Sequence, residues 1–368
     1  MKSQSRSHTR SRKKTVNRTG TRRRTRYEYP YKRTFLNYNA IIEKARHFKP
    51  LILTNNKTYE LSNKEKKLFY SVLNANKGLE KMGSHIYILV TDKASEYVDY
   101  DINNLTDNFS EECRIRCRVE TSPYSPYESF QKFYDENVTR AMKKYGSSDP
   151  QTLNLYMEDY GYESNMCTNY KLTYLLGLMK IFKPKRWLDL SAGWGDRLAA
   201  AILGGVKYYC GVDPNDCLHP CYKKMIDTLV PADRRNNFQL INAESQKLAD
   251  NFTSKTFDFI FTSPPFFTYE EYEGESANRE IYESMDKWLT DFMFKTVDLA
   301  WSKLEVGGKY GLYIEDKPNY RFMPRLLEYI SSKPGAHYLG IIYQLFLRRK
   351  KRFDYKLRNV YFFSKNEA

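Results

Sequence analysis

Residues 187–197 read Trp-Leu-Asp-Leu-Ser-Ala-Gly-Trp-Gly-Asp-Arg, and this stretch decides the fold. An apolar strand runs straight into a loop holding Gly193 and Gly195, and a helical pattern (197–203, RLAAAIL) starts directly behind it. Glycines at such a turn let the backbone approach a ligand closely, and the following helix aims its N-terminus at the same spot. A second apolar strand, 208–212, ends at Asp213, twenty residues beyond Gly193. A carboxylate placed there can accept both hydroxyls of a ribose. A third strand, 238–242, ends in Asn242-Ala243-Glu244, where a side chain can meet an adenine edge.

Working outward, strands predicted at 187–190, 208–212, 238–242, 257–262, 309–314, 339–345 and 360–363 alternate with amphipathic stretches at 197–203, 218–229, 285–304 and 320–332. A helical stretch at 170–182, with Thr168 as a candidate N-cap and Pro184 as its stop, precedes them. Strands alternating with helices predict a mostly parallel sheet covered on both faces. The last two strands lack an intervening helix and should form an antiparallel hairpin.

The fourth strand delivers Thr262-Ser263-Pro264-Pro265-Phe266. Two consecutive prolines fix φ and remove both N–H groups, leaving the carbonyls of Ser263 and Pro264 free to accept hydrogen bonds. In open α/β sheets ligands bind above the carboxyl ends of the strands, where this segment lies. An exocyclic aromatic amine is a poor nucleophile because its lone pair is delocalised into the ring. Accepting its two hydrogens, through Ser263 Oγ or carbonyl and through the Pro264 carbonyl, returns density to nitrogen and aims it. Phe266 offers a face for the ring to stack on, and a base within a duplex must first be flipped out.

The tetrapeptide 263–266 resembles the (Asp/Asn/Ser)-Pro-Pro-(Tyr/Phe/Trp) motif of S-adenosylmethionine-dependent amino-methyltransferases that act on DNA or RNA bases. With the 189–195 loop ahead of it, the region 167–316 is similar to DNA amino-methyltransferases of phages and large DNA viruses. The resemblance implies a Rossmann-like class I methyltransferase fold, a seven-stranded α/β sheet with a terminal antiparallel hairpin. It implies catalytic roles for Ser263, Pro264, Pro265 and Phe266, with S-adenosyl-L-methionine as cofactor. Cofactor contacts carry over to Asp189, whose carboxylate would meet the ammonium group, and to Ser191, Gly193, Gly195, Asp213 and Glu244. Asn169 and Lys171 fall where that family places residues near the cofactor carboxylate. The loop reads D-x-S-A-G-x-G and not G-x-G-x-x-G, which favours this cofactor over a dinucleotide. Serine in the first motif position is commonest among cytosine-N4 enzymes, many of which place the motif before the glycine loop. Here the loop comes first, so adenine N6 and cytosine N4 both stay open.

Composition sets the remaining bounds. The chain has 368 residues, 41% of them hydrophobic and 15% aromatic, enough to fill a core and exclude wholesale disorder. Residues 1–27 hold eleven Lys or Arg and no acid, so most of the net charge of +16 lies in a tail too polar to bury itself. Such a tail is expected to be disordered and to bind phosphate backbones or serve as a nuclear localisation signal. Residues 28–166 are expected to form an accessory domain of unassigned fold, and 167–368 the catalytic domain. The first contains helical residues 63–79, a strand at 85–90, and an acidic patch at 99–112 read as a solvated loop entering a helix.

The basic run Arg348, Arg349, Lys350, Lys351 and Arg352 between the last two strands is a candidate grip on phosphates, with Arg321, Arg325 and Lys356 as extensions. The six cysteines are expected to be reduced thiols. Cys217-Leu-His219-Pro-Cys221 lacks a second suitably spaced pair, so no metal is expected. No membrane span or secretory signal is visible, which predicts an intracellular protein, cytoplasmic or nuclear. The partner expected is nucleic acid, DNA before RNA. The alternatives are methylation of a protein amide or small amine, or a catalytically silent nucleic-acid-binding subunit. An oxidoreductase would leave the proline motif without a purpose.

Overall fold

The computed structural model describes residues 38–90, 100–119, 122–132, 134–147, 167–267, 270–271, 282–316, 320–347 and 355–367. The tail (1–27) and the run Arg348–Arg352 lie outside them. Among the described residues there are eleven strands: β1 Ile52–Thr54, β2 Tyr87–Val90, β3 Arg118–Val119, β4 Arg186–Asp189, β5 Tyr208–Asp213, β6 Phe238–Asn242, β7 Phe257–Thr262, β8 Glu270–Glu271, β9 Leu304–Leu312, β10 Ala336–Leu347 and β11 Tyr355–Lys365. The N-terminal helices are α1 Tyr38–His47, α2 Asn63–Ala75, α3 Asp107–Arg114, α4 Pro126–Lys132 and α5 Tyr134–Tyr145. Further on come α6 Leu172–Phe182, α7 Asp196–Leu203, α8 Leu218–Leu229, and α9, which runs from Met285 through a π-helical turn at Leu289–Phe294 to Lys303. The last is α10, Met323–Ser331.

Nine strands form one sheet in the order β1-β2-β10-β11-β9-β7-β4-β5-β6. Within it, β6-β5-β4-β7-β9 are parallel, and β11 lies antiparallel between β9 and β10. This is the Rossmann-like class I methyltransferase arrangement, and all seven strands read from the sequence are in it. Side chains alternate between faces along each strand. On β7, Phe259 and Phe261 join the core under α6, α7 and α8, whereas Ile260 joins the core under α9 and α10, as does Phe257 on the far side of a register shift between Phe257 and Phe259. Burial on both faces explains why these strands read as unbroken apolar runs.

The sheet does not stop at the boundary placed at residue 167. β2 pairs in parallel with β10, β1 pairs with β2, and α2 covers them through Phe69 and Val72. Residues of α1 and α3, including Ile41, Ile42 and Phe109, share the core cluster of α6–α8. The acidic patch also differs from its expected solvation. Asp107 and Glu111 are buried on α3, where both pair with the equally buried Arg114.

A β-bulge at Gly340 lets β10 meet the turn before β2. Gly340 has φ +113°, and a Cβ there would lie 1.9 Å from the Lys81 carbonyl oxygen, beside the hydrogen bond that Gly83 N–H donates to Leu339 O (2.8 Å). Gly340→Ala is expected to destabilise the chain by about 3 kcal/mol, the upper range for forced left-handed backbone. Urea unfolding measures this, and a loss under about 1 kcal/mol would show that the turn yields freely.

Candidate active site

Strand order reverses between β4 and β7, with β5 and β6 to one side and β9 to the other. Crevices for ligands open at such a switch point, above the carboxyl ends. Leu188 stands opposite Ile260 and Thr262 opposite Leu312, and Tyr313 N–H donates to Thr262 O (3.1 Å). The glycine loop after β4, the Ser263–Phe266 segment after β7 and residues 313–316 after β9 therefore leave the sheet at one level. They enclose a cavity of about 500 Å³.

The expected residues divide into two sets. Asn169, Lys171, Gly193, Ser263, Pro264, Pro265 and Phe266 line the cavity together. Asp189, Ser191, Gly195, Asp213 and Glu244 do not line it.

Asp189 is fully buried. Its Oδ2 accepts from Arg197 Nε (2.7 Å) and Tyr209 OH (2.9 Å), and its Oδ1 from the Ser191 N–H (3.2 Å). The carboxylate is thus committed to holding the loop, in contrast to the contact with a cofactor ammonium expected for it. Burial works against the Arg197 charge, but Asp189 beside it holds the guanidinium pKa above its ordinary value. Ser191 Oγ donates to the Leu190 carbonyl (2.8 Å). Gly195 adopts φ +90° as the N-cap of α7, and a Cβ there would press on Met225 Cε at 2.8 Å.

Asp213 closes the loop from β5. Its Oδ2 accepts from the Gly193 N–H (2.7 Å) and its Oδ1 from the Asn215 N–H (3.0 Å). Burial pushes its pKa up to about 6 against the pull of those two donors. Glu244 is partly exposed, accepting from Lys247 Nζ (2.5 Å) and Gln246 Nε2 (2.7 Å).

Several cavity residues were not foreseen. Tyr170 and Tyr313 pack edge to face with centroids 4.9 Å apart, and Phe266 meets Tyr313 in the same way at 6.4 Å. Arg358 on β11 donates to the Tyr313 hydroxyl. The Tyr170 hydroxyl and Asn169 Oδ1 are buried without a hydrogen-bond partner among the described residues, and burial raises the Tyr170 pKa well above its ordinary value. Gln344, Glu315, Asp316 and Lys356 complete this side. Among the cations named as a possible extension of the basic run, Lys356 lines the cavity, whereas Arg325 pairs with Asp286. Of the residues here that were not already assigned to the site, only Lys356 carried a sequence signal, its nearness to the basic run. The others lie at strand ends and helix starts with no motif of their own.

The cysteines depart from the all-reduced expectation. Cys113 on α3 and Cys217 before α8 form a disulfide, with Cα atoms 5.9 Å apart and a sequence separation of 104. Cys221 Sγ lies 4.0 Å from Cys113 Sγ. Helix α3 packs on α8, which brings together pairs that sequence spacing kept apart. His219 Nε2 lies 2.9 Å from the Asp213 carbonyl oxygen. Among the described residues no group of three or more His, Cys, Asp or Glu is arranged to hold a metal ion, and no helix is long and apolar enough to cross a membrane.

No sequence-family model and no curated protein matches the chain. Among solved structures, it is similar to TrmN from Thermus thermophilus at 16% identity and TM-score 0.36, over 53% of this chain and 49% of that one. The chain thus spans about half the length of TrmN. It is similar to the N-methyltransferase NodS from Bradyrhizobium japonicum at 12% identity and TM-score 0.36, over 53% of this chain and 94% of NodS. The glycopeptide N-methyltransferase MtfA complexed with S-adenosylmethionine matches at 14% identity and TM-score 0.29, over 52% and 65% of the two chains. Likenesses this distant leave the fold class to rest on the strand order itself.

Proposed function

We propose that this chain is an S-adenosylmethionine-dependent methyltransferase that modifies the exocyclic amine of a nucleobase, adenine N6 or cytosine N4, in DNA before RNA. The observation that carries the reading is the presence of Ser263–Phe266 in one cavity with Gly193 and Trp194 of the glycine loop. The polar groups present suit the cofactor. A carboxylate has roughly four lone-pair sites, and Asp213 uses two of them on N–H groups, leaving capacity for ribose hydroxyls. The Asn169 Oδ1 and Tyr170 OH groups, buried without partners among the described residues, suit its polar end. Asp189 supports this site by fixing Arg197 and the loop backbone.

When bound, the cofactor supplies an electrophilic methyl group on a sulfonium. The protein's part is to orient the amine. Ser263 and the Pro264 carbonyl accept its hydrogens, while Phe266 and Tyr313 flank the ring. With the methyl group passed to the amine nitrogen and the cofactor left as the thioether, one amine proton must then depart. Among the described residues three carboxylates line the cavity, and two of them already accept two hydrogen bonds each. Asp196 accepts from Thr106 and the Tyr170 N–H, and Asp316 Oδ1 accepts from the Phe322 and Met323 N–H groups. Glu315, the third, is the proposed acceptor for that proton. Lys171, Lys356 and Arg358 supply positive charge at the cavity for the flanking phosphates.

Calorimetric titration with S-adenosylmethionine tests the cofactor assignment. The intact chain should bind, and Asp213→Ala should weaken binding about 100-fold, as expected for losing hydrogen bonds to a charged group. Absence of binding to the intact chain, or binding of a nicotinamide dinucleotide in its place, would overturn the reading.

A further inference from the structure

Thr106, Ser110 and Cys113 fall at i, i+4 and i+7, so they share one face of α3. Two of them touch residues that line the crevice, and the third is bonded to the segment after β5. The Thr106 hydroxyl donates to Asp196 Oδ1 (2.6 Å) at the start of α7. Ser110 Oγ donates to the Trp194 carbonyl (2.8 Å) within the glycine loop, sharing its hydrogen with the Thr106 carbonyl at 3.1 Å. Cys113 is bonded to Cys217, four residues beyond Asp213. The same helix holds the segment before α6: Arg114 donates to the Cys167 carbonyl (2.7 Å), and Asn169 Nδ2 donates to Asp107 Oδ1 (2.5 Å) and to Thr106 Oγ1 (3.1 Å).

Thr106 occupies the N-cap of α3, where threonine ordinarily accepts a hydrogen bond from the first turn. It makes no such bond here, and its hydroxyl is directed to Asp196 instead.

We propose that α3 is a strap across the switch point and that Thr106 and Ser110 are positioning residues for the cofactor loop. This rests on the cofactor reading given above. Neither residue lines the cavity; they act through Asp196 and Trp194, which do. Burial is the main influence on Asp196, pushing its pKa up to about 7, while the Thr106 hydroxyl holds it down. Of the charges facing it, Asp107 raises it further, and Arg197 and Arg114 lower it. A raised carboxylate favours the folded state in its protonated form, so this contribution is present at low pH and is lost as pH rises through about 7. Without the hydroxyl, ionised Asp196 keeps only the Tyr170 N–H of its two donors, and the defect should be larger above pH 7 than below it.

The test compares Thr106→Val, Thr106→Ser and Ser110→Ala in the full chain. In Thr106→Val, the dissociation constant for S-adenosylmethionine should rise about 10-fold, more at high pH than at low, with kcat at saturation within about 3-fold of the parent. Thr106→Ser should restore the parent values. Hydrogen exchange at the amides of residues 192–197, measured without ligand, should quicken about 10-fold in Thr106→Val. Unchanged exchange and affinity would overturn the strap, as would a fall in kcat at unchanged affinity. Should Thr106→Val fail to fold, Ser110→Ala gives the same comparison at the Trp194 carbonyl. If the parent itself binds no S-adenosylmethionine, the cofactor reading falls, while the exchange comparison still decides the strap.

Discussion

Arg197→Met should destabilise the folded chain by about 3–5 kcal/mol, the cost of breaking a buried ion pair by removing one partner. The pair is enclosed: the Arg197 side chain is 5% exposed and that of Asp189 0%, with 2.7 Å between Nε and Oδ2. Methionine replaces the side chain only as far as the Nε position and leaves the Asp189 carboxylate with Tyr209 OH and the Ser191 N–H alone. The two sites touch, so their effects should not add. Arg197→Met with Asp189→Asn should be more stable than Arg197→Met alone, because the orphaned charge is gone. Urea unfolding of both variants measures this, and a single-variant loss under about 1 kcal/mol would mean that Asp189 finds another partner.

Ser263→Ala should lower kcat about 100-fold while leaving the dissociation constant for S-adenosylmethionine within about 2-fold. A change confined to kcat marks an interaction made chiefly in the transition state, and this magnitude is at the low end for losing one preorganised polar partner. The backbone should be undisturbed, since Pro264 and Pro265 fix the chain independently of the serine side chain. A variant with parental kcat would assign orientation of the amine to the Ser263 and Pro264 carbonyls alone. Weakened cofactor binding at parental kcat would remove Ser263 from the chemistry altogether.

What was legible in the sequence was local. A strand that ends in Gly193 and Gly195, and a strand that ends in two prolines, announce themselves because turn geometry acts over a few residues. The seven strands were readable for the same reason, through apolar runs such as Phe257–Thr262. Contacts over long sequence separations were not. Asp189 and Asp213 were read as ligand groups, and folding gives both a loop partner that the sequence did not announce: Arg197, the second residue of α7, for Asp189 and the Gly193 N–H for Asp213. The acidic patch read as solvated because Arg114, which neutralises Asp107 and Glu111, is apparent as their partner only once α3 is coiled. The pairing of Cys113 with Cys217 spans 104 residues and depends on α3 lying against α8. Likewise, β2 was recognisable as a strand, but its parallel pairing with β10 is a property of the assembled sheet.

The most direct test of the central claim is transfer of radiolabelled methyl from S-adenosylmethionine to unmethylated DNA, total RNA and protein extract, followed by nucleoside chromatography. The expected result is label in N6-methyladenine or N4-methylcytosine, abolished by Asp213→Ala and strongly reduced by Ser263→Ala. Label confined to protein, or no label in any pool while the chain still binds the cofactor, would contradict methylation of a nucleobase amine by this chain.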